Sequence, residues 1–275
     1  MKYMTFNSSC SYAGLANMLE KKGINVEDYE IALEMKAPFM IDKNEDGYIA
    51  GPMLQQKKWL DVYLNAHGYE IVEEWLDRTE VFDYLQGKDT AMLGIRMDNG
   101  RLNYHAVVYK GTEDGKAVFL NNKHENGSDP DEFRYTANEL RERVRDKTVI
   151  ATLKPIDEKS TDFMPLLNQS IKFLDDLQKD MVDFCSKMHS NQEILEKEYG
   201  LFRPLLLDGP SMMKLIGQDD ILEDMKELQK TFVQAVFKDK RDDVVLADCF
   251  DMDLLQSICQ RWKKLIENET MGFRY

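Results

Sequence analysis

Tyr104-His105-Ala106-Val107-Val108-Tyr109, followed by Asp114-Gly115 and then Ala117-Val118-Phe119-Leu120-Asn121-Asn122, decides how the first half of this chain folds. Both flanking runs consist of β-branched, aromatic and small apolar residues. The Asp-Gly pair between them is a turn signal that tolerates positive φ. Two strands follow, and if they are antiparallel neighbours His105 near the start of one lies beside Asn121 at the end of the other. An asparagine so placed accepts the imidazole N–H and fixes its tautomer. The ordinary role of a lone histidine in such a run is structural, so His105 needs a chemical partner before it reads as a base.

Working outward, Glu70–Glu74, Ala91–Met97 and Val149–Leu153 read as further strands, with Asp98-Asn99-Gly100 as a second turn. Helical spacing precedes them. Ser9 is placed to cap a helix from Ser11 to about Lys22, with Ala13, Leu15, Ala16 and Leu19 as its stripe and Gly23 as its stop. Val26–Met35 and Leu54–Ala66 read as two more helices; Trp59, Leu60, Val62 and Tyr63 form the apolar side of the latter, closed by Gly68. Helices followed by a meander of strands make an α+β domain over 1–156. From Ser160 onward the period is near 3.6. Phe163, Leu167, Ile171, Leu174, Leu177, Met181, Phe184 and Met188 mark one long amphipathic helix; Ile221–Val236 and Leu254–Ile266 repeat the pattern. Stripes of this kind are core, so 157–275 is read as a helical bundle domain or lid, through which a homo-oligomer can also form.

The partner for His105 is Cys10, which stands just before, or in the first turn of, the first predicted helix. Unsatisfied N–H groups and the positive dipole end favour a thiolate there. Cys185, Cys249 and Cys259 sit among apolar residues at helical spacing and read as reduced core cysteines. No C-x-x-C pair occurs, which leaves neither a zinc pattern nor a disulfide framework.

Ser9-Cys10-Ser11-Tyr12-Ala13-Gly14-Leu15-Ala16-Asn17-Met18-Leu19, Tyr104-His105-Ala106-Val107-Val108 and the 16-residue step from His105 to Asn121 together resemble the papain-like double-glycine leader peptidases that process bacteriocins, over roughly 1–154. The resemblance implies a papain-like domain, helices packed on an antiparallel sheet, with Cys10 as nucleophile, His105 as base and Asn121 as third member. It differs in three places: no Gln precedes Cys10, Ser11 stands where that family has Gly, and Asn121 stands for its Asp. Asn7, Ser8 or a backbone N–H is then the candidate oxyanion donor; Ser9, Ser11, Tyr104, Asn122 and, by sequence proximity, Tyr12 are pocket candidates. A second resemblance, to butirosin-biosynthesis-protein-H-like acyltransferases, implies transfer of an acyl or aminoacyl group through the same cysteine. Three functions stay open: hydrolysis of a peptide or amide, acyl transfer, and a catalytically inactive binding protein on the same fold.

The charge narrows the partners. With 36 Lys and Arg against 50 Asp and Glu, the net charge is −14, spread over both halves, which repels phosphate backbones and excludes nucleic acid as an expected partner. The expected substrate is a peptide or an acyl carrier, with no cofactor and no metal. Asp42-Lys43-Asn44-Glu45-Asp46-Gly47 imitates the front of a calcium loop, but Met53 occupies the position of its bidentate carboxylate, so it reads as an acidic turn. The opening Met1–Asn7 has no apolar signal core, and no later run reaches membrane length. A cytoplasmic protein without membrane partners is expected.

Overall fold

A computed structural model describes residues 1–97, 104–238 and 244–272. The Asp98-Asn99-Gly100 turn expected from the sequence lies outside these residues, as does Asn103. In chain order the elements are α1 (Cys10–Glu20), α2 (Asp28–Glu34), β1 (Ile41–Asn44), β2 (Gly47–Ala50), α3 (Lys57–Ala66), β3 (Tyr69–Asp77), α4 (Val81–Gln86), β4 (Ala91–Arg96), β5 (Tyr104–Glu113) and β6 (Lys116–Asn121). There follow β7 (Glu132–Tyr135), α5 (Ala137–Arg143), β8 (Lys147–Pro155), α6 (Met164–Cys185), β9 (Met188–His189), α7 (Asn191–Glu196), α8 (Gly209–Leu215), α9 (Asp219–Val233), β10 (Val244–Val245) and α10 (Met252–Gly272). The class is α+β. No helix among the described residues is long and apolar enough to cross a membrane.

The chain divides into two compact units, one formed by Met1–Met35 with Gln55–Thr161, the other by 36–54 with the chain from Asp162 onward. The first unit contains a six-stranded antiparallel sheet in the order β3-β8-β4-β5-β6-β7. Its β5–β6 turn is the Asp114-Gly115 pair of the sequence reading, both residues at positive φ (49° and 73°), with Glu113 facing Lys116. Strand alternation divides the two faces. Leu93, Ile95, Val107, Tyr109, Ala117 and Phe119 form one apolar cluster with Val81 and Leu85 of α4 and Leu140 of α5. Met92 and Val108, out of phase with these, face Gly14 of α1.

Every residue of α1 from Tyr12 to Leu19 is buried, so this helix is enclosed all round rather than along the expected single stripe. Asn17 is the polar residue that this enclosure traps. Its amide is tied to Lys2 N–H at 2.7 Å and to the Lys2 and Ala13 carbonyls at 3.1 and 2.9 Å. Gly68, at φ 75°, ends α3 in the backbone conformation that favours glycine.

In the second unit α10 packs on α6 and α9, and α6 packs on β1. The stripe residues Leu167, Leu174, Leu177 and Met181 of α6 are buried, as are Leu255, Ile258, Trp262 and Ile266 of α10. Trp262 donates its indole N–H to the Pro38 carbonyl at 2.9 Å, which ties the 36–54 segment to the helices. The acidic loop is a β-hairpin: Asn44 Oδ1 accepts the Asp46 and Gly47 backbone N–H groups at 3.0 and 3.1 Å across its turn. Cys185 and Cys259 are buried free thiols; Cys249, read from sequence as core, is half-buried. α6 ends at Cys185, short of the expected Met188. Met188–His189 instead pairs with Val244–Val245 as a two-residue strand, and the His189 ring stacks on Phe184 at 3.7 Å.

Candidate active site

Cys10 is the first residue of α1. Ser9 occupies the capping position but makes no side-chain cap. Its buried hydroxyl bonds to Asp28 Oδ2 at 2.7 Å. Asp28, also buried, accepts the Thr5 N–H at 2.7 Å and the Thr5 hydroxyl at 2.5 Å. The turn before the nucleophile candidate is therefore fastened to α2, and the cap expected of Ser9 is absent because its oxygen accepts the Phe6 N–H at 3.2 Å while its hydrogen goes to Asp28.

The Ala106 and Ser11 backbone N–H groups, the Ser11 hydroxyl and the residue's own N–H stand near the Cys10 sulfur. These donors favour the thiolate. Burial opposes them and is the larger effect, so the thiol is raised above its usual range. A helix N-terminus alone thus fails to give Cys10 the depressed pKa suggested by its place in the sequence.

His105 sits near the start of β5. Its Nε2 lies 2.9 Å from Asn121 Oδ1, and Asn121 Nδ2 donates to the Pro130 carbonyl at 2.8 Å. Only an amide nitrogen donates to a carbonyl, so the second bond fixes which way the Asn121 side chain faces. Oδ1 must then accept from Nε2–H, which leaves Nδ1 as the basic nitrogen of the neutral ring. Burial lowers the His105 pKa, outweighing the Asn121 oxygen, the negative charge of Asp129 and the Asn122 backbone, which all favour the protonated ring. The resting pair is a thiol and a neutral imidazole. Among the described residues no hydrogen bond joins sulfur to ring; what links the two is the His105–Ala106 peptide, whose N–H stands near the sulfur and favours its ionised form.

Asn122 is buried as a structural tie between α1 and β5. Its Nδ2 donates to the Ala106 carbonyl at 2.9 Å, and its Oδ1 accepts from Asn17 at 3.2 Å. Asn122 thereby holds the Ala106 backbone beside Cys10, just beyond the end of the β5–β6 ladder at Val107 and Asn121. Asn7 is exposed on the turn preceding α1, and Tyr12 is fully buried within it. Tyr104 carries the Arg145 guanidinium over its ring at 4.3 Å. The other histidines are tied elsewhere: His67 to Glu34 at 2.8 Å and His124 to the Met4 carbonyl at 2.8 Å.

Sequence reasoning missed Gln55. Its Nε2 donates to the Ser8 carbonyl, and its Oε1 accepts the Ser11 hydroxyl at 2.8 Å, so its amide spans the first turn of α1. Gln55 follows Cys10 by 45 residues, and no local pattern marks it.

No family model matches the chain. No curated protein matches it either. Among solved structures it is similar to the peptidase domain of Streptococcus ComA, a bi-functional ABC transporter involved in a quorum-sensing pathway. The TM-score is 0.40 at 14% identity, over 56% of this chain and 96% of that one.

Proposed function

We propose that the chain hydrolyses a peptide or amide bond through an acyl-enzyme on Cys10. The observation that carries this reading is the oriented His105–Asn121 pair, which leaves Nδ1 basic one residue from the Ala106 N–H that stands near the Cys10 sulfur. A neutral imidazole is the form a general base needs, and burial keeps His105 in that form at neutral pH. Catalytic hydrogen bonds are commonly long or absent before substrate arrives and tighten in the complex.

Nδ1 of His105 takes the Cys10 proton as sulfur attacks the substrate carbonyl carbon. The C–S bond forms, and the carbonyl electron pair moves onto oxygen. When that pair returns, the C–N bond breaks and the imidazolium gives its proton to the departing amine. Water then attacks the thioester, its proton passing to His105 and on to sulfur, which releases the acid and restores the thiol. The Cys10 N–H at the open end of α1 is the donor available to the oxyanion, in place of the absent upstream Gln.

The test is a peptidyl electrophile, such as an acyloxymethyl ketone, applied to the full chain and mapped by mass spectrometry. Label is expected at Cys10, absent from Cys10→Ala and slowed about 10²-fold or more in His105→Ala, the range of a lost general base. Asn121→Ala should slow it less. Label that forms at Cys10 at equal rates with and without His105 would end the enzymatic reading.

A further inference from the structure

Ser9 does not cap α1, and the side chain that spans the helix's first turn comes from Gln55. The Ser8 carbonyl can only accept, so Nε2 of Gln55 must face it, and Oε1 must face Ser11. The Ser11 hydroxyl has a single hydrogen, which Oε1 takes at 2.8 Å. The same hydroxyl also stands within hydrogen-bonding reach of the Cys10 sulfur. Two acceptors therefore compete for one hydrogen. While Gln55 holds it, Ser11 presents lone pairs to the sulfur, an environment suited to S–H. Once the sulfur ionises, the hydrogen is better placed toward the negative charge.

We propose that Gln55 is a positioning residue for the nucleophile, whose amide clips the Ser8–Ser11 turn and draws the Ser11 hydroxyl hydrogen away from the Cys10 sulfur, so that the resting site keeps its thiol protonated. The proposal rests on Cys10 being the reactive sulfur, but not on turnover. Burial of the sulfur, which raises the thiol, acts in the same direction. Removing the Gln55 oxygen frees the hydroxyl to turn, whereas removing the hydroxyl abolishes the competition.

Iodoacetamide alkylation of Cys10 in the full chain, followed by mass spectrometry across pH, reads the thiol directly. Gln55→Leu, which leaves the hydroxyl free, should move the midpoint down by about one pH unit, or about tenfold faster reaction below the midpoint. Gln55→Glu keeps an acceptor and adds negative charge, so it should move the midpoint up. Ser11→Ala should also move it up, and in the Ser11→Ala background Gln55→Leu should change nothing. That dependence separates positioning from a general loosening of the fold, which would act alike in both backgrounds. Equal shifts for Gln55→Leu with and without Ser11, or a downward shift with Gln55→Glu, would overturn the proposal. Should Gln55→Leu fail to fold, the Gln55→Glu and Ser11→Ala measurements, both expected to move the midpoint up, still decide it. The His105 dependence of the peptidyl label is a separate readout, so failure of the hydrolase reading and failure of the clip are distinguishable.

Discussion

Gly14→Ala tests how closely α1 is pressed onto the sheet, and hence what positions Cys10 one helical turn away. A β-carbon at Gly14 would lie 2.6 Å from both the Met92 Sδ and the Asn122 Nδ2, and 3.4 Å from a Val108 methyl. The Met92 sulfur is part of a flexible side chain and can swing aside at little cost. The Asn122 amide cannot. It is fully buried and bonded to the Ala106 carbonyl and to Asn17, so displacing it breaks one or both contacts inside the core. Each buried polar group left unpaired costs about 1–3 kcal/mol. Against this, alanine in a helix interior gains about 1 kcal/mol over glycine. With both contacts broken the net expectation is a loss of about 1–5 kcal/mol. Urea unfolding of the full chain, read by hydrogen exchange in α1 and β5 peptides, measures it. The partners give an internal check: Gly14→Ala should cost less in an Asn122→Ala background than in wild type, and Met92→Ala should relieve less of it. Gly87→Ala is the control. Its β-carbon would meet only the Tyr84 carbonyl oxygen, at 3.8 Å, and a change within about 0.5 kcal/mol or a slight gain is expected. A Gly14→Ala protein as stable as wild type, or more so, would refute the reasoning that close backbone approach holds α1 in place.

Asp28→Ala strips the acceptor from the Thr5 N–H, the Thr5 hydroxyl and the Ser9 hydroxyl. It should lower the stability of the first unit by about 3 kcal/mol or more by urea unfolding, with Asp28→Asn costing less because one acceptor oxygen remains. In the second unit burial pushes Asp208 up to about 7, despite Arg203 Nε at 3.0 Å. A carboxyl raised in the folded state contributes stability present below its unfolded value near 3.8, and that contribution is lost as pH rises through about 7. Asp208→Asn removes this titration. Its stability relative to wild type should therefore improve between pH 4 and pH 8, by an order of a few kcal/mol in pH-dependent urea unfolding; an unchanged difference would show that Asp208 is not titrating there.

Much of the fold was legible because its signals are local. A period of 3.6 marked α6, α9 and α10, and alternating apolar runs around Asp114-Gly115 marked β5 and β6. These patterns arise within single elements, from which side chains share a face, and need no knowledge of the partner. The antiparallel pairing of β5 and β6 is the condition under which Asn121 reaches His105, and a short turn of Asp-Gly type brings that pairing about through its own backbone preference.

What the sequence by itself determined, then, was the identity and order of the elements and the chemical types it could bring to a site: one thiol at a helix start, one imidazole and one amide on adjoining strands. Tertiary structure decided the rest, because burial and long-range hydrogen bonds depend on what folds over a residue. It drew the 36–54 hairpin segment into the unit formed by the chain from Asp162 onward, through contacts such as Trp262 with Pro38. It turned the Ser9 hydroxyl from its own helix to Asp28, and it brought Gln55 from 45 residues away to span the turn around Cys10. It also set the sign at the sulfur. The helix start favours a thiolate locally, but Cys10 is half-buried, and the partial loss of water around its sulfur outweighs the donors beside it.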